Sequence, residues 1–140
     1  MSMQALREHC VAAGVVTNEA EFRTRFEDKV KEIMRLLFLQ VKPQLDRKQG
    51  TFELFGFDFL VDEALNPYLI EINVNPALFT DTSVQKELLP RLVDETVGIA
   101  LRLHPEGKMH SKAEVKEYTE ALKAGDEASL FEMIYCEEDA

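Results

Sequence analysis

The chain has 140 residues, a formal net charge of −10 and an apolar content typical of a soluble globular protein. This length suits a single domain, and the negative charge argues against a nucleic-acid partner because phosphate binding needs a basic face. No apolar run is long enough to span a membrane, and the N-terminal residues show no secretory pattern. Cys10 and Cys136 lie near opposite ends, so we expect two free thiols in a reducing cytoplasm rather than a disulfide.

The first part of the chain is predicted to be helical. Residues 1–17 form a lead-in, with a short helix from Ser2 to Ala13 that ends at Gly14. A second helix begins at Asn18, because Glu21 three positions later completes a capping-box pattern. Apolar side chains then recur at steps of three and four, which indicates a long helix with a buried stripe: Phe22, Phe26, Val30, Ile33, Leu37 and Val41.

A β-hairpin follows a predicted loop at 46–50. Residues 52–62 and 67–73 are rich in aromatic and β-branched side chains, and residues 63–66 between them are typical of a tight turn. We expect one face of the hairpin to be strongly apolar and to fix its register. That face consists of Phe57, Phe59, Val61, Ile70 and Ile72. The expected fold class is α+β, with this small antiparallel sheet packed against two or three helices.

The expected strand pairing brings two carboxylates together. The turn is short enough for Asp62 to pair with Pro67. Asp58 then faces Glu71, and Asn73 falls on the same face as Glu71 because side chains alternate along a strand. Like charges directly opposite each other destabilise a ladder, so a cation between them would explain the arrangement. Hard oxygen ligands without histidine or thiolate suit magnesium held jointly with nucleotide phosphates, whereas an ordinary charged surface is the alternative.

The remainder of the chain is predicted to contain a loop and further helices. Asn75 precedes a proline that ends the second strand; it is a candidate phosphate contact or a plain turn residue. Thr82 and Gln85 predict the cap of a helix ending near residue 104, which Pro90 either kinks or divides. The buried stripe of this helix would be Leu89, Val93, Val97 and Leu101. Residues 105–140 are expected to form an acidic helical extension.

The two strands and the residues after them carry a family resemblance. FELFGFDFLVDE at 52–63 and PYLIEINVNPAL at 67–78 resemble the C-terminal signature of the tubulin–tyrosine ligase-like family, and the resemblance extends over about residues 22–103. The continuation at 79–84 is similar to the polyglycylase-like branch. Members of this family are ATP-grasp enzymes that ligate an amino acid to a protein carboxylate, mostly on tubulin tails.

This resemblance implies a fold, cofactors and partners. Residues 18–104 would be the C-terminal part of an ATP-grasp catalytic domain, with ATP and magnesium as cofactors. Asp58, Glu71 and Asn73 would be the magnesium ligands, and Asn75 would contact the nucleotide. The partners would be a free amino acid and tubulin or another acidic protein tail. The expected location is the cytoplasm, with the cytoskeleton or cilium as a more specific candidate.

The resemblance also implies what this segment lacks. The family's phosphate-gripping lysines and its amino-acid-binding arginine are expected upstream, so no catalytic residue beyond the metal ligands can be assigned. The isolated chain is therefore expected to be inactive, and its acidic charge does not suit docking of an acidic tail. The alternative is a catalytically inactive fragment that acts as a structural or protein-interaction module. An exposed apolar face is expected to promote self-association.

Overall fold

A computed structural model describes residues 1–46, 51–103, 117, 120 and 130–135 of the chain. The described residues belong to two compact units, one formed by Met1–Asp46 and Glu53–Ala77, the other by the described parts of 47–52 and 78–140. The first unit contains three α-helices and a two-stranded antiparallel sheet, and the described part of the second includes a long α-helix. The α+β class predicted from the sequence is confirmed at this level.

The first helix, α1, spans Met3–Ala12 as predicted. The Ser2 side chain accepts a hydrogen bond from the backbone N–H of Ala5 and so caps the helix N-terminus. After the helix, Gly14 adopts a φ of +71°, which only glycine reaches without steric cost. The chain then turns towards the second helical segment.

The second helical segment begins with a modified capping box. The Asn18 side chain accepts from the backbone N–H of Glu21 at 3.0 Å, as the sequence pattern predicts. The Glu21 carboxylate, however, accepts from the backbone N–H of Thr17 at 2.8 Å and from the Thr17 hydroxyl at 2.7 Å. The hydrogen bond from the Thr17 backbone is the main reason that the pKa of Glu21 is lowered. In a standard capping box the Glu21 carboxylate would accept from the backbone N–H of Asn18, the N-cap residue. Here it accepts from the preceding residue, Thr17.

This segment is one helical rod, in which a π-helical turn separates two α-helices. Helix α2 spans Glu19–Phe22, the π turn spans Arg23–Glu27, and helix α3 spans Asp28–Val41. Only the first turns of the predicted apolar stripe are buried: Phe22 is fully buried and Phe26 is 5 % exposed, whereas Val41 is 44 % exposed. The prediction of a stripe buried along its whole length is therefore wrong. The reason is that the core of the first unit lies against the N-terminal half of the rod.

The core of the first unit is small. It consists of Cys10, Val16, Phe22, Phe26 and Leu65, with partly buried side chains around it. The rings of Phe22 and Phe26 have centroids 5.4 Å apart in a tilted arrangement. Cys10 is a free thiol in this core. Helix α1, the helical rod and the hairpin turn therefore share one apolar cluster.

Arg7 of α1 ties the first two helical segments together. Its guanidinium lies 2.7 Å from Glu27 and 3.5 Å from Glu19, and it is 5.9 Å from the centre of the Phe22 ring. The hydrogen bond with Glu27 is the main reason that the pKa of Arg7 is raised. Because Glu27 ends the π turn, this ion pair fixes the turn against α1.

The sheet consists of strand β1, Gly56–Val61, and strand β2, Pro67–Asn73. Asp58 pairs with Glu71 as predicted, but closer to the turn the register differs, and Val61 rather than Asp62 pairs with Pro67. The difference arises from a bulge. Asp58 pairs with Glu71 and Phe59 pairs with Leu69, so Ile70 is an extra residue without a cross-strand partner.

The bulge changes which side chains of β2 face the core. Phe57, Phe59 and Val61 on β1 are partly buried, in agreement with the predicted apolar face. Ile70 is 62 % exposed, so its predicted place on that face is wrong. The physical reason is the shift in alternation: Leu69 pairs with inward-facing Phe59, and the extra residue then allows Glu71 to pair with outward-facing Asp58.

The hairpin turn is anchored to the helical rod. The guanidinium of Arg25 donates to the backbone carbonyl of Ala64 at 3.0 Å and to that of Val15 at 2.9 Å. The ammonium group of Lys29 donates to the Asn66 side chain at 2.8 Å. Between these contacts Leu65, with a φ of +61°, places its side chain in the core, where it is 5 % exposed. The turn is therefore part of the folding core of the first unit.

The second unit contains helix α4, Ser83–Leu103. Thr82 and Gln85 form the predicted cap: the Gln85 side chain accepts from the Thr82 backbone at 2.9 Å, and the Thr82 hydroxyl accepts from the Gln85 backbone at 3.2 Å. Pro90 lies inside this single helix and does not divide it. The predicted buried stripe is largely exposed, with Val97 45 % and Leu101 62 % accessible.

Two further regions complete the description. Residues 130–135 have no helix, and the backbone N–H of Leu130 donates to the Glu95 carboxylate of α4 at 2.9 Å. The predicted loop at 47–50, Cys136 and most of the predicted 105–140 extension lie outside the described residues. No helix in the described ranges is both long and apolar enough to cross a membrane.

Candidate metal-binding site

The three predicted ligands lie together near the open end of the hairpin. Asp58 is exposed on β1, Glu71 is exposed directly opposite on β2, and Asn73 is the half-buried last residue of β2. The pairing of Asp58 with Glu71 fixes their backbones, and Asn73 follows two residues later on the same strand. The structure thus brings together the oxygen-bearing side chains that the sequence singled out.

The Asn73 amide joins the two carboxylates. Its Nδ2 atom donates to Asp58 Oδ2 at 3.2 Å and to Glu71 Oε1 at 3.1 Å. One amide group therefore uses its donors on a carboxylate from each strand. This arrangement reduces the cost of placing two like charges opposite each other, because both carboxylates share one partially positive group.

The donor set fits a hard divalent cation. Two carboxylates and an amide carbonyl are oxygen ligands of the kind that magnesium takes, and the exposed position leaves room for phosphate and water oxygens. Among the described residues no group of three or more His, Cys, Asp or Glu side chains is arranged to hold a metal ion. A metal here would consequently depend on Asn73 in addition to the two carboxylates, with water or phosphate oxygens completing its coordination.

The fourth predicted residue, Asn75, lies on an exposed bend beyond β2. The path of this bend is set by a close approach of Pro76 to Gly56, which pairs with Asn73: a Cβ atom added at Gly56 would lie 3.0 Å from the Cβ of Pro76. The glycine therefore lets the chain fold back over the start of β1. Sequence analysis missed this role of Gly56, although a glycine at the first position of a strand is a recognised signal of close backbone approach.

The opposite end of the hairpin has a separate polar cluster around Asp62. Its carboxylate accepts from the Asn66 side chain at 2.9 Å and the Asn66 backbone at 2.8 Å, and also from Ala64 and the Tyr68 hydroxyl. The hydrogen bond from the Asn66 side chain is the leading reason that the pKa of Asp62 is lowered. The same carboxylate raises the pKa of Tyr68. This cluster organises the turn.

Between these two polar clusters the exposed surface of the hairpin is apolar. Leu60 is 63 % exposed, its cross-strand partner Tyr68 is 53 % exposed, and the bulge residue Ile70 lies next to Glu71. The Tyr68 ring is held in place by its hydroxyl bond to Asp62. The hairpin therefore presents fixed apolar side chains beside a pair of carboxylates.

Comparison with known proteins identifies the family that this chain resembles. A family model described as "Tubulin-tyrosine ligase family" matches residues 2–110, which include the whole hairpin and helix α4. No solved structure is significantly similar to the chain.

Individual relatives agree with this match. The chain is 46 % identical over 78 residues to protein polyglycylase TTLL10 of Rattus norvegicus. The aligned segment covers 56 % of this chain and 12 % of the relative. It is 44 % identical over 78 residues to the human protein named inactive polyglycylase TTLL10, again over 56 % of this chain and 12 % of the relative. Tubulin glycylase 3A of Drosophila melanogaster is 40 % identical over 63 residues, or 45 % of this chain and 6 % of that protein. The matched segment thus spans about an eighth of the length of the first two relatives.

Proposed function

Because this chain belongs to the tubulin–tyrosine ligase family, we propose that it is the magnesium- and ATP-binding part of a ligase that joins amino acids to protein carboxylates. The observation that supports this proposal most strongly is the convergence of Asp58, Glu71 and Asn73 on one exposed hairpin face. Within the proposal, the α+β unit is the C-terminal part of an ATP-grasp domain.

Each residue of the trio has a distinct role in the proposal. Asp58 and Glu71 supply the negative charge that holds a magnesium ion, and Asn73 supplies a neutral carbonyl oxygen. Magnesium bound with ATP would neutralise charge on the phosphates during phosphoryl transfer to the acceptor carboxylate. The paired strands keep the three side chains at fixed separations, as a metal site requires. Asn75, on the bend held by Gly56 and Pro76, would contact the nucleotide.

The names of the relatives support a substrate class. Three of them have polyglycylase or glycylase in their names, and a fourth, 34 % identical over 87 residues, is a human protein named probable tubulin polyglutamylase TTLL2. We therefore propose glycine as the amino acid and tubulin as the acceptor protein, with the cytoplasm and cytoskeleton as the site of action. The phosphate-gripping lysines and the amino-acid-binding arginine would come from outside the 140 residues.

A second candidate is a catalytically inactive module that acts through packing or protein binding. The observation that favours it is the human relative named inactive, whose 44 % identity is close to the 46 % of the rat polyglycylase. Overall similarity therefore does not separate an active from an inactive segment. The difference must depend on whether this chain's own residues can support catalysis in a complete enzyme.

A segment exchange tests the two candidates. The 78-residue segment of the rat polyglycylase would be replaced by the matching segment of this chain, and incorporation of labelled glycine into tubulin would be measured with ATP and magnesium. Retained incorporation supports the ligase function. Loss of incorporation in a folded, soluble chimera supports the inactive module, provided that the human segment grafted in the same way is also inactive.

A further inference from the structure

We propose that Asn73 is a positioning residue with two side-chain orientations, one that holds the carboxylates together without metal and one that binds the metal. In the first, its amide nitrogen occupies the space between Asp58 and Glu71. In the second, its carbonyl oxygen turns towards a magnesium ion that has replaced the nitrogen. This inference rests on the proposed function, because it assigns a conformational role at the same site.

The first orientation is the one present in the structure. Nδ2 of Asn73 lies within hydrogen-bond distance of both Asp58 Oδ2 and Glu71 Oε1, at 3.2 Å and 3.1 Å. Because the two carboxylates occupy paired positions, they would repel each other without a donor between them. The amide nitrogen carries the partial positive charge that a cation would otherwise supply. It therefore keeps both carboxylates aimed at one point before metal binds.

The second orientation follows from coordination chemistry. An amide nitrogen donates hydrogen bonds and does not bind a hard cation, whereas the amide oxygen does. A magnesium ion placed between the carboxylates would repel the Nδ2 protons and attract Oδ1. Rotation about the last side-chain torsion exchanges the two atoms without moving the backbone, and this torsion has a broad, roughly two-fold profile. Asn73 is at the end of β2, where the adjoining bend leaves its amide half-exposed.

Neither aspartate nor leucine at this position would serve both states. Aspartate would bind metal but would add a third negative charge beside Asp58 and Glu71 when metal is absent. Leucine would keep a similar volume but would offer neither donor nor ligand. Asparagine alone among these three provides a hydrogen-bond donor at one end of its planar amide and an oxygen ligand at the other end.

The test is an NMR titration of the full 140-residue chain with magnesium chloride alone. Carboxyl carbon shifts of Asp58 and Glu71 report metal entry, and nuclear Overhauser contacts from the Asn73 amide protons to these two side chains report the amide orientation. We expect the carboxyl shifts to move at millimolar magnesium and the amide contacts to disappear over the same range. Unchanged amide contacts despite moving carboxyl shifts would overturn the two-orientation inference while leaving the metal site in place.

Unmoved carboxyl shifts would overturn metal binding by this chain, and with it both the inference and the magnesium role in the proposed function. A glycine-incorporation result from the segment exchange would then show separately whether the ligase assignment survives. The two failures are thus distinguishable.

Two variants separate positioning from a purely structural role. Asn73→Leu is expected to weaken magnesium binding about tenfold or more, in the range known for loss of groups that orient metal ligands. Asn73→Asp is expected to lower the melting temperature in a chelator but to show a larger magnesium-induced rise than the parent chain. Gln40→Glu, which adds one charge at an exposed position in the last turn of α3, is the control for added charge and should show no larger magnesium-induced rise than the parent chain. An equal loss of stability in Asn73→Asp with and without magnesium would contradict the inference.

Discussion

Asp58 and Glu71 face each other across the hairpin, although the strands change register one residue away. On the turn side of this pair Phe59 is opposite Leu69, and the intervening Ile70 has no partner. A bulge of this kind increases local twist and re-aims side chains, and bulges are common beside functional sites. Here it allows Leu69 to be partly buried and Glu71 to be exposed in the same short strand.

The charge of Glu71 should be essential if the segment acts in a complete ligase. In the active rat chimera, Glu71→Gln is expected to reduce glycine incorporation about a hundredfold or more, because a catalytic metal contributes several kcal/mol of charge stabilisation. Initial rates with saturating ATP would measure the effect. Glu63→Gln, at an exposed turn position away from the trio, should leave the rate within about twofold of the parent. Undiminished turnover of Glu71→Gln would exclude it as a metal ligand.

Arg25 should contribute to stability through its contacts with the hairpin turn. Arg25→Met removes hydrogen bonds to the carbonyls of Ala64 and Val15 and is expected to cost about 1–2 kcal/mol, since the side chain is about one-third exposed. Urea unfolding followed by circular dichroism would measure the change. Arg23→Met is the matched control: the Arg23 side chain is 65 % exposed and lies 3.9 Å from Glu27, so this long contact should be worth less than about 0.5 kcal/mol. Equal costs for the two variants would contradict the anchoring role of Arg25.

Leu65 should matter more than any exposed leucine of the hairpin. Leu65→Ala is expected to lower the free energy of unfolding by about 2–4 kcal/mol, because it removes a buried side chain from the five-residue core. Leu60→Ala, on a strand position that is 63 % exposed, should change it by less than about 0.5 kcal/mol. Chemical unfolding of both variants checks the contrast, and a small effect at Leu65 would show that the turn is not part of the core.

An added methyl group is expected to have opposite effects on stability at Gly56 and at Gly98. Gly56→Ala places a Cβ atom 3.0 Å from Pro76, so the bend that carries Asn75 must shift, at an expected cost of about 1–3 kcal/mol. Gly98→Ala in α4 meets no atom within 4 Å and should stabilise the helix by up to about 1 kcal/mol through better helix propensity. Thermal unfolding of the two variants measures both signs. A neutral Gly56→Ala would mean that the bend relaxes without strain.

The turn cluster predicts a specific pH dependence. Hydrogen bonds, first of all from the Asn66 side chain, lower the pKa of Asp62 in the folded chain below its value in the unfolded chain. Its contribution to stability is therefore complete above about pH 5 and is lost as the pH falls through the folded-state pKa, below about pH 4. Asp62→Asn should be less stable than the parent at pH 7, and the difference should shrink in acid. A difference that is constant from pH 7 to pH 3 would contradict this linkage.

Some parts of the site could be predicted from local sequence. The caps at Asn18 and Thr82 follow from side chains three positions apart. The pairing of Asp58 with Glu71 was predicted correctly, because the bulge at Ile70 compensates for the one-residue difference in register near the turn. These features depend on neighbours close in sequence or directly across a hairpin, where periodicity and hydrogen-bond reach leave few alternatives.

Other parts were decided by packing between distant segments. The register near the turn differs from the predicted one because Leu65 enters the core and Arg25 binds Ala64, 39 residues away in the chain. The bulge at Ile70 inserts one extra residue, so that Asp58 and Glu71 can pair and face outwards while the turn stays anchored. Neither the anchored turn nor the bulge can be predicted from the alternation of side chains in β2 alone, because an alternating pattern does not show where an extra residue is inserted.

By itself, the sequence determined most of the elements, the family and the three side chains proposed to hold a cation, because composition, periodicity and motif act locally. Only the tertiary structure decided that the Asn73 amide lies between the carboxylates and that the helical stripe is buried over its first turns alone. These outcomes depend on the separations between atoms of different segments. Such separations result from the balance of core burial, anchoring hydrogen bonds and charge repulsion across the folded unit.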